Sequence, residues 1–269
     1  MLAACRGWIP HGSVDSDLAI LIPPDTQMLA GIRFDRLRAT PLYRKLAAEN
    51  MLPAFFEFRA GSGFDPARDL HEVLLASDGK QTLAIARGTF PAKLSGDDGE
   101  RAIVVLDHGR ALAGPPVLVR AAIDRYRSGH RSAPRDLLAR AEALPDDAQI
   151  WAVVLAWHGL SPGTLRNMGN AANLDRILRT VESATLTADL RSGVRVAFAG
   201  DCRTAQDAKT LSEQLRGLLS LLRANVPKNR PDIQRAAASI QVSQSARTAK
   251  VNLDLPQDLT DKLADELLH

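Results

Sequence analysis

The sequence predicts an α+β fold of two tandem similar repeats, each a mainly antiparallel sheet with helices packed on one face. Three observations carry that expectation. A turn-and-strand stretch, LIPPDTQMLAGIRF at residues 21–34, returns in shortened form as LPDDAQIWAVVL at residues 144–155. Paired apolar runs flank a polar turn in both halves, around Asp78-Gly79 and around residues 189–192. Each half then ends in alternating strand pairs followed by a Pro and an amphipathic helical pattern. The repetition divides the chain into a tether at residues 1–20, a first repeat at 21–143 and a second at 144–269.

Taken in order, Pro23-Pro24-Asp25 bars a helix and turns the chain into a strand, where Met28, Ala30, Ile32 and Phe34 alternate with Leu29, Gly31 and Arg33. Asp35 caps a short helical turn, and Pro41 opens a helix carrying Leu42, Leu46 and Ala47. Residues 51–60, with Phe55, Phe56 and Phe58, fit a helix or a short strand equally. Asp65-Pro66 starts a helical turn before a hairpin whose strands, residues 72–76 and 82–87, are joined at Asp78-Gly79. A short helix at residues 91–94 and a second hairpin, 101–107 and 111–113, follow. Helices at 115–126 and 134–143 complete the first repeat.

The second repeat is expected to run as a strand at 150–157, a helix at 171–180 and strands at 181–188 and 193–200. A long helix follows, capped by Thr204 with Asp207 and striped by Ala208, Leu211, Leu215, Leu218, Leu219 and Leu222 until Asn225 and Pro227. Strands around Ile240-Val242 and Val251-Leu255 and a last helix on Leu259, Leu263 and Leu267 close the chain.

Composition excludes several classes of function. With 34 basic and 31 acidic residues and a net charge of +3, there is no clustered basic excess of the kind nucleic acid requires, and 4% aromatic residues leave few stacking surfaces. No apolar run reaches the length of a membrane-spanning helix. Cys5 and Cys202 form neither a disulfide framework nor a zinc spacing, so no metal or cofactor is expected. Cys202 reads as a small core residue.

Cys5 carries a different expectation. Leu2-Ala3-Ala4-Cys5 matches the pattern at which bacterial lipoprotein signal peptides are cut, although the charged and apolar stretch that should precede it is absent, and residues 6–17 read as a polar tether. The expectation is lipid attachment at Cys5 and an extracytoplasmic location, with the membrane engaged only through that anchor.

Four patterns invite a chemical reading, and the first three fail on their own terms. Gly61-Ser62-Gly63 follows no clean strand and lacks the Lys-Ser/Thr that closes a phosphate loop. Asp107-His108 are adjacent on a strand end and point to opposite faces, with no placed nucleophile. Gly159-Leu160-Ser161-Pro162-Gly163 fits the nucleophile elbow, but Pro162 lacks the N–H that would serve the oxyanion hole. Residues 110–141 hold seven arginines against Asp124, Asp136 and no other acid; an anionic partner and a solvated face paired with acids elsewhere both fit.

Pro23-Pro24-Asp25-Thr26, with residues 63–70 (GFDPARDL) and 119–125 (VRAAIDR), resembles bacterial secreted or lipid-anchored proteins of an uncharacterised, duplicated α+β domain family. The resemblance implies an extracytoplasmic setting and transfers no catalytic residue. No residue set identifies a substrate or reaction. The expectation is a non-enzymatic binding or scaffold protein whose partner is a protein or a small apolar ligand. The alternative is a hydrolase whose site is assembled from distant residues between the two repeats.

Overall fold

The computed structural model describes residues 14–49, 63–129, 131–155 and 180–268. Among them, eleven strands form one sheet in which every pairing is antiparallel. The strands are β1 (Met28–Arg33), β2 (Leu70–Ser77), β3 (Thr82–Gly88), β4 (Gly96–Asp97), β5 (Ala102–Asp107), β6 (Arg110–Gly114), β7 (Ile150–Leu155), β8 (Val181–Asp189), β9 (Val194–Cys202), β10 (Ile240–Ser245) and β11 (Thr248–Leu255). Their order across the sheet is β10-β11-β9-β8-β7-β1-β2-β3-β6-β5-β4. Leaving out β4, the order outward from the centre is β1-β2-β3-β6-β5 on one side and β7-β8-β9-β11-β10 on the other, the same sequence of connections. The two halves share one sheet, joined where β1 pairs with β7.

That central seam is fitted to a large side chain. Gly31 faces Trp151, and a Cβ at Gly31 would stand 2.3 Å from the indole ring, so only glycine admits this ring at the junction.

Turn chemistry behaves as the sequence predicts. Thr26 donates through Oγ1 to Pro23 O at 2.7 Å, fixing the entry to β1. In the β2–β3 hairpin, Asp78 Oδ1 accepts from the N–H groups of Lys80 and Gln81, each at 2.7 Å, while Gly79 adopts φ 91°. Those backbone donors hold the Asp78 carboxyl below its ordinary range.

The described helices are α1 (Ser16–Ala19), α2 (Phe34–Leu37), α3 (Pro41–Ala48), α4 (Pro66–Asp69), α5 (Pro116–Ser128), α6 (Arg135–Glu142), α7 (Ala205–Asn225), α8 (Pro231–Ala238) and α9 (Gln257–Leu268). Thr40 caps α3 by accepting from Tyr43 N at 3.3 Å, and Thr204 caps α7 by accepting from Asp207 N at 3.0 Å. Phe34, expected as the last strand residue, instead begins α2. Residues 92–94 form a 3-10 turn rather than a helix. The helix α8 and the two-residue strand β4 were not foreseen from the pattern. Residues 51–60, the end of the expected strand at 156–157 and the expected helix at 171–179 lie outside the described residues.

Helices do not keep to one face. Leu29, Gly31 and Arg33 share a face with their partners on β2, β3, β6 and β7, and α1, α5 and α6 cover it through Leu18, Val119, Ala122, Leu137 and Ala141. In the other half the same face carries Thr185, Thr187, Lys250 and Asn252, and α7 packs instead on the reverse side, against Ala184 and Ala249. The reason lies in β11, where Lys250, Asn252 and Asp254 are exposed while Ala249 is buried and Val251, Leu253 and Leu255 are half-buried. In the first half α2 and α3 add Phe34, Leu37 and Tyr43 to the reverse side, so the expectation that each repeat packs its helices on one face is corrected there.

At the β10 edge, Arg223 donates to Ala237 O and Ile240 O at 3.1 and 2.8 Å, and Arg216 reaches Val242 O at 3.4 Å. Side chains of α7 thus occupy carbonyls of the outermost strand.

Candidate functional site

The reverse face of the first half holds the most distinctive concavity. Alternation dictates which residues reach it. In β3 the order Leu83-Ala84-Ile85-Ala86 sends the two large side chains into the core beneath α5 and leaves Ala84 and Ala86 on the other side; in β6, Ala111-Leu112-Ala113 does the same. The register aligns Ile32, Val73, Ala86 and Ala111 in one row, and Leu75, Ala84, Ala113 and Ile103 in the next. Four alanines therefore stand in the middle of a floor bordered by larger residues.

Phe34, Leu70, Phe90 and Leu94 rise around this floor and enclose a cavity of about 300 Å³. All four lie at one end of the strands, where β1 and β3 finish and β2 begins. Phe64 stacks on Phe90 with ring centroids 5.3 Å apart. The lining contains no titratable side chain. Its volume falls at the small end of ordinary ligand pockets.

Tyr43, the one buried residue of α3, belongs to the same cluster as Phe34, Leu70, Phe90 and Leu94. It is 7% exposed, and among the described residues its hydroxyl has no hydrogen-bond partner. Burial raises the phenol above its ordinary pKa and keeps it a neutral donor. The neighbouring Arg38 supplies no acceptor. Its guanidinium donates to Phe34 O, Ala67 O, Arg68 O and Leu70 O at 3.0, 3.1, 2.5 and 2.6 Å and so laces the rim together.

A second concavity, of about 310 Å³, lies in the second half, where Asp147, Thr187, Asp189, Arg195, Asn252 and Asp254 line it together with apolar residues. Its charges answer one another. Asp189 accepts from Arg191 and Arg195 at 2.8 and 2.6 Å, which holds its carboxyl well below the usual range, and Arg191 also bonds Asp147. Both concavities sit within a half of the chain, so neither is the site between repeats that the sequence led us to expect.

Across the helix-covered face runs a row of charges in register: Arg33, Glu72, Arg87 and Arg110, with Asp107 beyond. Arg87 donates to Glu72 and Asp15 at 2.9 and 3.0 Å, and Arg110 to Asp107 and to the Tyr126 hydroxyl, each at 2.7 Å. Arg33 and Arg36 both donate to Asp146 O and hold the turn before β7. Despite two arginine neighbours, burial raises the Glu72 carboxyl above its ordinary pKa, so desolvation outweighs the ion pair. This row ties elements together and presents no converging pair for acid–base work.

The residues singled out in the sequence are dispersed. Cys5 and Gly159 to Gly163 lie outside the described residues. His108 occupies an exposed turn, and Asp107 spends its carboxylate on Arg110 and Gly109 N. Cys202 is buried at the end of β9, where burial raises its thiol pKa. Of the basic stretch, Arg110 pairs with Asp107, Arg125 reaches Leu21 O at 3.2 Å, and Arg140 pairs with Asp201 at 3.0 Å. The alanine floor and Tyr43 went unnoticed in the sequence, where the large/Ala alternation of residues 83–86 and 111–113 marks only a strand.

No family model and no curated protein matches the chain. Among the solved structures that match is one similar in outline. It is crystal form I of TP0453, with a TM-score of 0.48 at 8% identity, covering 95% of this chain and 97% of that one. Among the described residues no helix is long and apolar enough to cross a membrane.

Proposed function

We propose that this chain is a non-enzymatic binding protein, built by internal duplication, whose first half takes a small apolar ligand on the reverse face of the sheet. The observation that carries the reading is the cavity of about 300 Å³ whose lining has no titratable side chain. Small residues on its floor and large ones beneath the helices, alternating within the same two strands, argue for kept space rather than loose packing. The duplication is supported by the matching strand order on either side of the β1–β7 seam.

The expected ligand-free and ligand-bound forms are distinguished with the apolar dye N-phenylnaphthylamine. Its fluorescence should rise on binding to the full chain and stay low with Ala86→Phe, or with the gentler Ala84→Leu, both of which fill the floor. Equal fluorescence with the filled variants would refute the site.

The second part of the proposal is an extracytoplasmic location with lipid on Cys5, for which the Leu2-Ala3-Ala4-Cys5 pattern is the support. Mass spectrometry of protein expressed with the upstream genomic sequence decides it, and an unmodified Cys5 would rule it out.

A further inference from the structure

We infer that the partner of the alanine-floored face is an amphipathic α-helix of another protein, laid across the first half of the sheet as α7 lies across the second. The inference rests on the reading above that this face binds an apolar group, and it names what carries that group. Two observations lead to it: the shared register of the two halves, and what stands on each.

The halves match strand by strand and also in their irregularity. β2 slips against β3 between Leu70 and Glu72, and β8 slips against β9 between Val181 and Ser183. With those bulges in common, Leu70 corresponds to Val181, Val73 to Ala184 and Leu75 to Leu186. The register then carries across the neighbouring strands, where Ala84 corresponds to Phe198, Ala86 to Gly200, Ala111 to Ala249 and Ala113 to Val251. The floor of the cavity and the seat of α7 are therefore the same surface, met twice.

In the second half that surface is covered. Ala208 and Leu211 of α7 are buried with Val181, Ala184 and Ala249, and Phe198 and Leu215 pack half-buried against them. The helix runs for 21 residues and enters the chain between β9 and β10. At the corresponding place, between β3 and β5, the first half has the 3-10 turn at residues 92–94 and the two residues of β4, in a segment shorter than α7 itself. Phe34 and Tyr43, from α2 and α3, belong to the cluster at one end of the face, while Leu75, Ala84, Ala113 and Ile103 stay half-buried and line the cavity.

An apolar sheet face is stable when another layer covers it, and the twin half shows that this surface takes a helix. Ala84 stands where Phe198 does, which opens the space into which an incoming helix lowers a side chain. Docking of this kind is read as apolar anchors at i, i+3 and i+7, the spacing of Ala208, Leu211 and Leu215.

The probe is a fluorescein-labelled peptide with the sequence of residues 204–226, titrated with the full-length chain and followed by fluorescence anisotropy. The expected result is saturable binding that N-phenylnaphthylamine competes away. It should weaken at least tenfold with Ala86→Phe or the gentler Ala86→Leu in the chain, whose circular dichroism should match wild type, and likewise when the peptide's Leu211 and Leu215 are exchanged for serine. A chain that binds the dye but not the peptide overturns the inference and leaves the cavity reading in place. A chain that binds neither removes the cavity reading itself. Peptide binding unchanged by both substitutions at Ala86 also overturns the inference, because the peptide would then be displacing α7 from its own seat. Self-association of the chain in sedimentation, abolished by the same substitutions, would overturn the choice of partner and assign the helix to a second copy.

Discussion

Two residues, Thr40 and Glu72, show most directly how local chemistry sets the properties of this protein. Thr40 is buried, donates through Oγ1 to Leu37 O at 2.7 Å and accepts from Tyr43 N. Thr40→Ala should cost about 1 kcal/mol of stability, measured as a lowered urea midpoint, and should loosen the phenol it positions. Glu72 makes a sharper test because its pKa is raised. An acid favoured in its protonated form on folding adds nothing adverse below its unfolded pKa, near the ordinary 4.5, and a penalty that grows as pH climbs from there through the folded value. The stability of wild type minus that of Glu72→Gln should therefore fall as pH rises above about 4.5. A difference that rises over that range would mean the arginines win over burial. Asp78, Asp189 and Asp201 have lowered pKa values and work in the opposite sense, giving stability that is lost as pH falls.

At the scale of elements, strands and turns were more legible than helices. The Asp78-Gly79 hairpin, the Pro41 helix start and the Thr204 cap follow from rules that act within a few residues, and the structure places them where those rules say. Helix α8 escaped notice because it is eight residues long and alanine-rich, with only Ile233 to mark an apolar stripe. Which face a helix covers is also beyond local pattern. In β8, Ser183, Ala184 and Ala188 are buried while Thr185, Leu186 and Thr187 are half-buried, and this mixture does not announce α7 on one side and open surface on the other. The cavity was hidden for a related reason. Alternating Leu and Ala reads simply as a strand, and only the register of β3 against β6 places four alanines side by side.

At the scale of the whole molecule, the β1–β7 seam makes the two halves mechanically one. Continuous pairing from β10 to β4 predicts a single cooperative transition in calorimetry, and two resolved transitions would show that the seam opens before the halves melt. Gly31→Ala attacks the same joint. Forcing a methyl against the Trp151 ring should cost about 3 kcal/mol, read from the urea midpoint, with the loss shared by both halves.

The arginines of α7 give the sheet's outer boundary a further meaning. A ladder of this length ordinarily offers two templates on which another polypeptide can extend it. Here one end tapers to the two residues of β4, and at the other Arg216 and Arg223 have already claimed carbonyls at Val242 and Ile240. Growth of the sheet by recruiting a stranger's strand is thereby discouraged at both limits, and recognition is left to the faces of the sheet.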